Sequence, residues 1–371
     1  VGLTNNIVRN TYHFGDLMKS HALKVQGGRN CIFSTLLRKN AVHGFVAPYD
    51  VREVRETQGY VEGNNPWSFH EGSWSIEDLE DHLNDGDQSK IFDLAEAKEE
   101  QSITESAEEL EETWWDPVGA ADRLGSTRPP FPGVKYHVTR NGYHVDGTPT
   151  VSGINAKSDV RFSNRYIGPL GSNLNKGFTH DTTDTLTSGN QIREKMRKAI
   201  RYCRFMSPNG ANLADDDKKL AVNMQKIYAD EIAYDAIQKT GDALGHGNES
   251  IAPKELERPA PIFMGVPVDW VEDLGVGTGG LPSYVRSSGS AETDRGVFSA
   301  GQYPSTGEVF MLNLRNLRVI GKEGVFPLIK PPVYIPQQQA MFRLIRHCLS
   351  TVCTMRQRQV AMWGFSPLIA A

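Results

Sequence analysis

Between Gln88 and Trp115 the chain runs QSKIFDLAEAKEEQSITESAEELEETWW, without a Gly or Pro. Ala, Glu, Leu, Lys and Gln dominate it, residues that lose little side-chain entropy in a helix. Ile91, Leu94 and Ala95, then Ile103, Ala107, Leu110 and Trp114, recur at helical spacing. One stripe is therefore predicted to face a core. Asp116-Pro117 ends the pattern, because the residue before a proline is pushed out of the helical region. A helix over the whole run spans roughly 42 Å, well beyond the usual three or four turns. A rod of that length constrains the fold, since sheets must be laid against it. The sequence before it is extended and turn-rich, the middle mixes helix and strand, and the end is strand-rich. The expected class is α+β, with this helix as a spine.

At 371 residues the chain is long enough to bury a sizeable core, in one large domain or two to three interleaved ones. Thirty-five Gly and 20 Pro favour many turns over a helical bundle. A net charge of −5 excludes a chain that binds nucleic acid as a polycation. The charge is uneven, however. Between Glu77 and Glu112 there are 15 acidic residues against Lys90 and Lys98, whereas Arg343 to Arg358 holds four Arg and no acid. Such asymmetry predicts charge-complementary contacts, within a subunit or between subunits, or two solvated faces.

Taken in order, residues 1–20 mix Ile7, Val8, Tyr12, Phe14 and Leu17 with polar residues, as a short helix or an arm on a neighbour would. From His21 to about Glu62 two strands are predicted around the turn Ala47-Pro48-Tyr49-Asp50. That segment is too polar to bury both faces and needs another surface to lie on. Ser75, with Asp78 three residues on, is a candidate N-cap for a short helix ended by Asp85-Gly86. Lys135 to Val145 reads as a hairpin closed by Asn141-Gly142. Helices are expected over Gln191–Phe205, on Ile192, Met196, Ala199, Ile200 and Cys203, and over Asp215–Lys239. Pro261 to Trp270 reads as a buried strand pair and Val309 to Val319 as a strand. Met341 to Phe365 reads as two strands folded near Arg356–Arg358.

Little of this sequence points to catalysis. Gly275-Val-Gly-Thr-Gly279-Gly280 matches a phosphate-cradling pattern, but Leu281-Pro282-Ser283 follows where a helix should begin. The ten histidines offer no HxxxH or HExxH. His137 and His144, flanking the Asn-Gly turn, are a poor metal pair by themselves. Cys31, Cys203, Cys348 and Cys353 show no CxxC pair, which fits free thiols in an intracellular chain. No secretory pattern and no apolar run of about 18 residues is present, so no membrane partner is expected. Neither a catalytic set, a cofactor nor a metal site is predicted.

The order of segments resembles the major capsid proteins of tailed bacteriophages, the HK-97-type fold. Gly27-Gly28-Arg29 through Tyr60 to Pro66-Trp67 is similar to that family's E-loop and its return. Ser75-Ile-Glu-Asp-Leu-Glu, Asn84-Asp-Gly-Asp and the helix to Trp114 are similar to its short helix and spine. Pro261-Ile-Phe-Met-Gly-Val-Pro-Val and Gly307-Glu-Val-Phe-Met-Leu-Asn-Leu-Arg-Asn-Leu resemble the exit from its A-domain, and Val333–Phe365 its last P-domain strands. The resemblance implies an N-terminal arm over 1–20, an E-loop over 21–73 and a P-domain over 74–134 with its spine helix over 88–115. It implies an A-domain over 135–305 and a return to P-domain strands over 306–371.

The resemblance further implies a non-enzymatic shell protein, assembled in the host cytoplasm into the virion capsid as hexamers and pentamers. It implies double-stranded DNA in the lumen, bound without sequence specificity, and portal, scaffolding and cement or decoration proteins as partners. Arg29, Arg38, Arg52 and Arg55 on the E-loop are expected to meet carboxylates of an adjacent subunit, and the acidic spine to face basic strands across subunits. Lys24 and Lys39 lie on that loop without a local pattern for an acceptor, so a covalent cross-link is not carried over. Two rivals stand beside this reading: an encapsulin-type compartment of the same fold, and a soluble α/β enzyme using Gly275–Gly280 for a phosphate.

Overall fold

The computed structural model describes residues 13–14, 23–25, 28, 30–36, 59–77, 94–115, 129–139, 150–155, 165–167, 186–203, 225–243, 261–264, 266–272, 274, 307–325, 328–337 and 339–370. Strands β1 (Leu23–Val25), β2 (Asn30–Leu36), β3 (Tyr60–Pro66) and β4 (Ser68–Glu77) precede a long helix, Leu94–Trp115. The middle holds a one-turn helix (Val134–His137), strands β5 (Thr150–Val151), β6 (Ile154–Asn155), β7 (Arg165–Ile167) and β8 (Leu186–Ser188), and a helix over Gly189–Cys203. Strand β9 (Gln225–Ala229), a helix over Glu231–Ala243, and strands β10 (Ile262–Phe263) and β11 (Val266–Trp270) follow. The chain closes with β12 (Gly307–Asn313), β13 (Leu317–Lys322), β14 (Leu328–Ile329), β15 (Val333–Ile335), β16 (Ala340–Cys353) and β17 (Val360–Ala370).

Strand β16 is the axis of the first sheet. Along one edge it pairs antiparallel with β4, from Ala340↔Glu77 to Leu349↔Ser68. Along the other it meets β13, β14 and β15 in turn, and β1 adds in parallel beyond β13. The second sheet runs β10-β11-β9-β12-β17-β7, with β8 also on β17. Its strands β9 and β12 are buried almost throughout, as expected for a sheet covered on both faces. Two cores result. One joins Leu110, Trp114 and Trp115 of the long helix to Phe131, Tyr228, Phe310, Leu317, Leu349 and Ala361, so it binds both sheets. The other packs Ile192, Met196, Ile200, Ala233 and Ile237 of two helices on Val268, Val309, Met311 and Met362.

The long helix is described from Leu94, and residues 88–93 lie outside the described residues. Its buried line is Ser102, Ser106, Leu110 and Trp114, while Ile103 is 47% exposed. The small serines let the helix approach β4, where Ser106 Oγ lies 3.4 Å from His70 Nδ1. At its C-terminal end Gly133 passes so close that a Cβ would stand 2.2 Å from the Trp114 carbonyl oxygen.

Four local expectations need correction. Ser75 is no helix cap: it lies in β4, where period-two burial of Trp74 and Ile76 and the ladder to β16 select strand. Lys135 to His137 form a helical turn in place of a hairpin strand, with Lys135, Tyr136 and His137 all buried, and residues 140–149 lie outside the described residues. Within the predicted helix Asp215–Lys239, Gln225–Ala229 is a strand held between β11 and β12. Asp230 then starts the helix by accepting the Ala233 N–H at 2.8 Å. The predicted strand Val309–Val319 is two strands in different sheets, broken where Asn313 Oδ1 accepts the Arg315 N–H and Asn313 O the Asn316 N–H. Gln191–Phe205 is helical over Gly189–Cys203, with the five expected residues buried. The strand pair within Pro261–Trp270 forms, although Ile262 is half exposed. The two strands expected within Met341–Phe365 are β16 and β17, separated by a turn at Arg356–Arg358 and placed in different sheets.

Candidate assembly surfaces

The ribbon β2–β3 has little core of its own. It pairs antiparallel from Asn30↔Pro66 to Leu36↔Tyr60 and, among the described residues, forms a two-stranded sheet. Its root is fixed by polar bonds. Asn65 Nδ2 donates to Thr351 O at 2.7 Å, Trp67 Nε1 to Gly28 O at 3.1 Å, and Asn64 N–H to Ser152 O at 2.9 Å. Phe33 and Val61 lean on a small cluster of Tyr136, Val151 and Ile154. Ile32, opposite Asn64, and Tyr60, opposite Leu36, are 63% and 65% exposed. Arg29, Arg38, Arg52 and Arg55, the predicted contact residues, lie outside the described residues.

The expected match between acidic helix and basic strand is made within one chain. Arg343 pairs with Glu99 of the long helix, and Arg346 Nε donates to Glu71 at 2.7 Å on β4. His70 Nε2 lies 2.8 Å from Glu109. At these positions the alternative realised is the contact within a subunit. Arg356 is buried and donates to His137 O at 2.6 Å and to Thr139 Oγ1 at 3.3 Å, stapling the turn between β16 and β17. Loss of solvent brings its guanidinium pKa down to about 10.

Sequence reasoning missed a latch at the other end of the long helix. Glu111, 2% exposed, accepts the Phe14 N–H at 2.6 Å and Trp115 Nε1–H at 2.8 Å. Phe14 packs on Trp114 and Phe131 with ring centroids 5.2 and 5.4 Å away. His13 stands edge-on to Tyr228, with Nε2 3.2 Å from the Trp270 oxygen. Burial raises the Glu111 pKa, and the two N–H bonds and the nearby His13 partly offset that rise. The only sequence signal was Glu-x-x-x-Trp at one-turn spacing, which by itself does not separate a buried carboxylate from its solvated neighbours.

The remaining chemical candidates do not converge. His137 Nε2 lies 2.7 Å from Thr351 Oγ1, and that hydroxyl donates to Pro132 O, so Nε2 carries the proton. Its proposed neighbour His144, like the loop Gly275–Gly280, lies outside the described residues. The buried Lys135 Nζ stands 3.8 Å from Glu308 Oε2. All four cysteines are buried and form no disulfide. Among the described residues no group of three His, Cys, Asp or Glu side chains is arranged for a metal, and no helix is long and apolar enough to cross a membrane.

No family model matches the chain, and no curated protein sequence matches it. Solved structures do. The cyanophage A-1(L) capsid asymmetric unit aligns with a TM-score of 0.59 at 11% identity, over 98% of this chain and 96% of that one. The capsid of cyanophage P-SCSP1u gives 0.54 at 11% identity, over 98% and 90%. The holo-SrpI encapsulin complex of Synechococcus elongatus PCC 7942 gives 0.51 at 9% identity, over 99% and 93%. With two sheets bound to one long helix, and with alignment to such shells over almost its whole length, this chain has the HK-97-type capsid fold.

Proposed function

We propose that this protein is the major capsid protein of a tailed phage, assembling as hexamers and pentamers into an icosahedral head around double-stranded DNA. The observation that carries this reading is end-to-end alignment with the cyanophage A-1(L) capsid subunit, 98% of this chain on 96% of that one. The ribbon β2–β3 supports it, because a two-stranded segment exposing Ile32 and Tyr60 gains apolar burial only on another surface. In this reading 1–20 is the arm, 21–73 the E-loop, 74–134 the P-domain, 135–305 the A-domain and 306–371 the return to the P-domain. Strands β12 and β17 of that return pair with the sheet of the middle segment. Arg29, Arg38, Arg52 and Arg55 of the E-loop meet carboxylates of a neighbour. Scaffolding, portal and decoration proteins complete the particle in the host cytoplasm. A net charge of −5 lets the shell enclose DNA loosely, without phosphate neutralisation over its whole surface.

The test is particle size, by light scattering and negative-stain microscopy of the protein expressed alone and with its neighbouring structural genes. Closed shells or six-fold rings are expected. A monodisperse 41.2 kDa species under both conditions overturns the reading. The encapsulin alignment favours a second reading, a compartment holding cargo protein. Nuclease-protected DNA in purified particles supports the head, and a co-purifying protein cargo without DNA supports the compartment. Charge reversal at Arg52 and Arg55 is expected to abolish assembly, and shells formed at the normal yield would remove those residues from the interface.

A further inference from the structure

Near its C-terminal end the chain passes between the two sheets at two turns, and those turns are stitched together. The first joins β12 to β13 over 314–316, and the second joins β16 to β17 over 354–359. The Asn313 N–H donates to Gln359 Oε1 at 2.8 Å, and Gln359 Nε2 donates back to Asn313 O at 3.0 Å. The Thr354 N–H donates to Asn316 O at 2.9 Å. Each turn is also held internally. Asn313 Oδ1 accepts the Arg315 N–H at 3.2 Å, and Met355 O accepts the Arg358 N–H at 3.2 Å. Buried Arg356 pins the second turn to His137 O.

Three guanidiniums are carried on this junction. Arg315 and Arg358 are half-buried, one on each turn, and the exposed Arg318 of β13 donates from Nε to Arg315 O at 2.9 Å. Loss of solvent, and then the positive charge of Arg315, lower the Arg358 pKa. The turns therefore hold like charges close enough to oppose one another, at a partly desolvated place where salt screens them less. The stitching bonds come from backbone groups, Asn313 and Gln359, so the guanidiniums of Arg315 and Arg358 are not what ties the turns together. We propose that Arg315, Arg318 and Arg358 form a phosphate-binding site for the backbone of the duplex DNA enclosed by the shell, and that this junction faces the lumen. The proposal rests on the shell reading and deepens it. A guanidinium presents its donors in a planar fork that fits phosphate oxygens. Each DNA strand carries a negative charge about every 3.4 Å, dense enough to relieve several crowded cations at once. Carboxylates along one face of a neighbour's helix recur only about every 5.4 Å, which favours the duplex over a second copy. A net charge of −5 does not oppose such a contact, because the local cluster and not the whole surface meets the phosphates.

The test is fluorescence anisotropy of a short labelled duplex with the purified full chain before assembly, across about 0.05–0.2 M salt. Light scattering follows particle formation separately, so failure of the shell reading shows as no particles and leaves the site's own result intact. The wild-type affinity is expected to fall with salt. Arg315→Gln, Arg318→Gln and Arg358→Gln together are expected to flatten that dependence by about 2–3 in log–log slope. Arg358→Gln alone is expected to flatten it by about 1, which keeps the test usable where the triple variant fails to fold. Arg318→Lys with Arg358→Lys keeps both charges and is expected to retain the wild-type slope. A wild-type affinity independent of salt overturns the proposal, as does an unchanged slope in the glutamine variants. So does a loss that the lysine variant shares, which assigns the arginines to the shape of the turns. Normal duplex binding with fewer particles from the glutamine variants overturns it in favour of a contact between copies.

Discussion

His347 shows what a single side chain contributes here. It faces His70 across β16 and β4 with ring centroids 5.8 Å apart, and His70 in turn meets Glu109 and Ser106 of the long helix. Burial, and then the charge of His70, lowers the His347 pKa to about 4. The folded state therefore binds its proton less readily than the unfolded chain, whose histidine titrates near 6.5. Its stabilising contribution is complete above about pH 6.5 and is lost as pH falls through about 4. Urea midpoints at pH 7 and pH 4.5 are expected to differ less for His347→Gln than for the wild type. At Gly133 the constraint is steric: a Cβ 2.2 Å from the Trp114 carbonyl oxygen cannot be relieved by a rotamer change. Gly133→Ala is expected to cost about 2–3 kcal/mol in chemical denaturation. Glu111→Gln leaves one acceptor oxygen where the carboxylate used two. The Phe14 amide is expected to exchange faster with solvent deuterium in that variant.

Among the elements, those with local hydrogen bonding were the most legible. The long helix followed from helix formers uninterrupted by Gly or Pro, and Gly189–Cys203 from apolar residues at 3.6-residue spacing. Strands were misread where the deciding partner is remote. Ile227 fits a helical stripe, yet β9 gains ladder bonds from β11 and β12, whose residues lie far along the chain. The boundary that separates β9 from its helix is Asp230. Asp230→Ala should destabilise by about 1 kcal/mol, read as a lower denaturation midpoint. An unchanged midpoint would mean that β9 and β12 position the helix without its cap. The break at Asn313–Asn316 was written in the sequence as two asparagines in a turn-compatible spacing, but alternation through Leu317 and Val319 masked it.

At the scale of the whole molecule, the long helix, β16 and β17 are tied by the cluster around Trp114, Trp115 and Tyr228, which joins both sheets. Trp114→Ala should cost about 3–5 kcal/mol, and thermal unfolding should show both sheets melting together at a lower temperature. By itself the sequence determined the α+β class, the helical spine, the final pair of strands and the order of segments that resembles capsid subunits. These are carried by local composition and by periodicity, which neighbouring residues impose on one another. The contact arginines of the E-loop belong to the sequence alone, since they fall outside the described residues. Only the tertiary structure decided that Ser68–Glu77 is a strand, that Val309–Val319 divides between two sheets, and that Glu111 is buried beneath Phe14. It alone separated the arginines already paired, Arg343 and Arg346, from those left facing solvent, Arg197 and Arg201. A strand's partner and a charge's neighbour lie hundreds of residues away. Both are therefore set by how the sheets meet, which no local window of sequence contains.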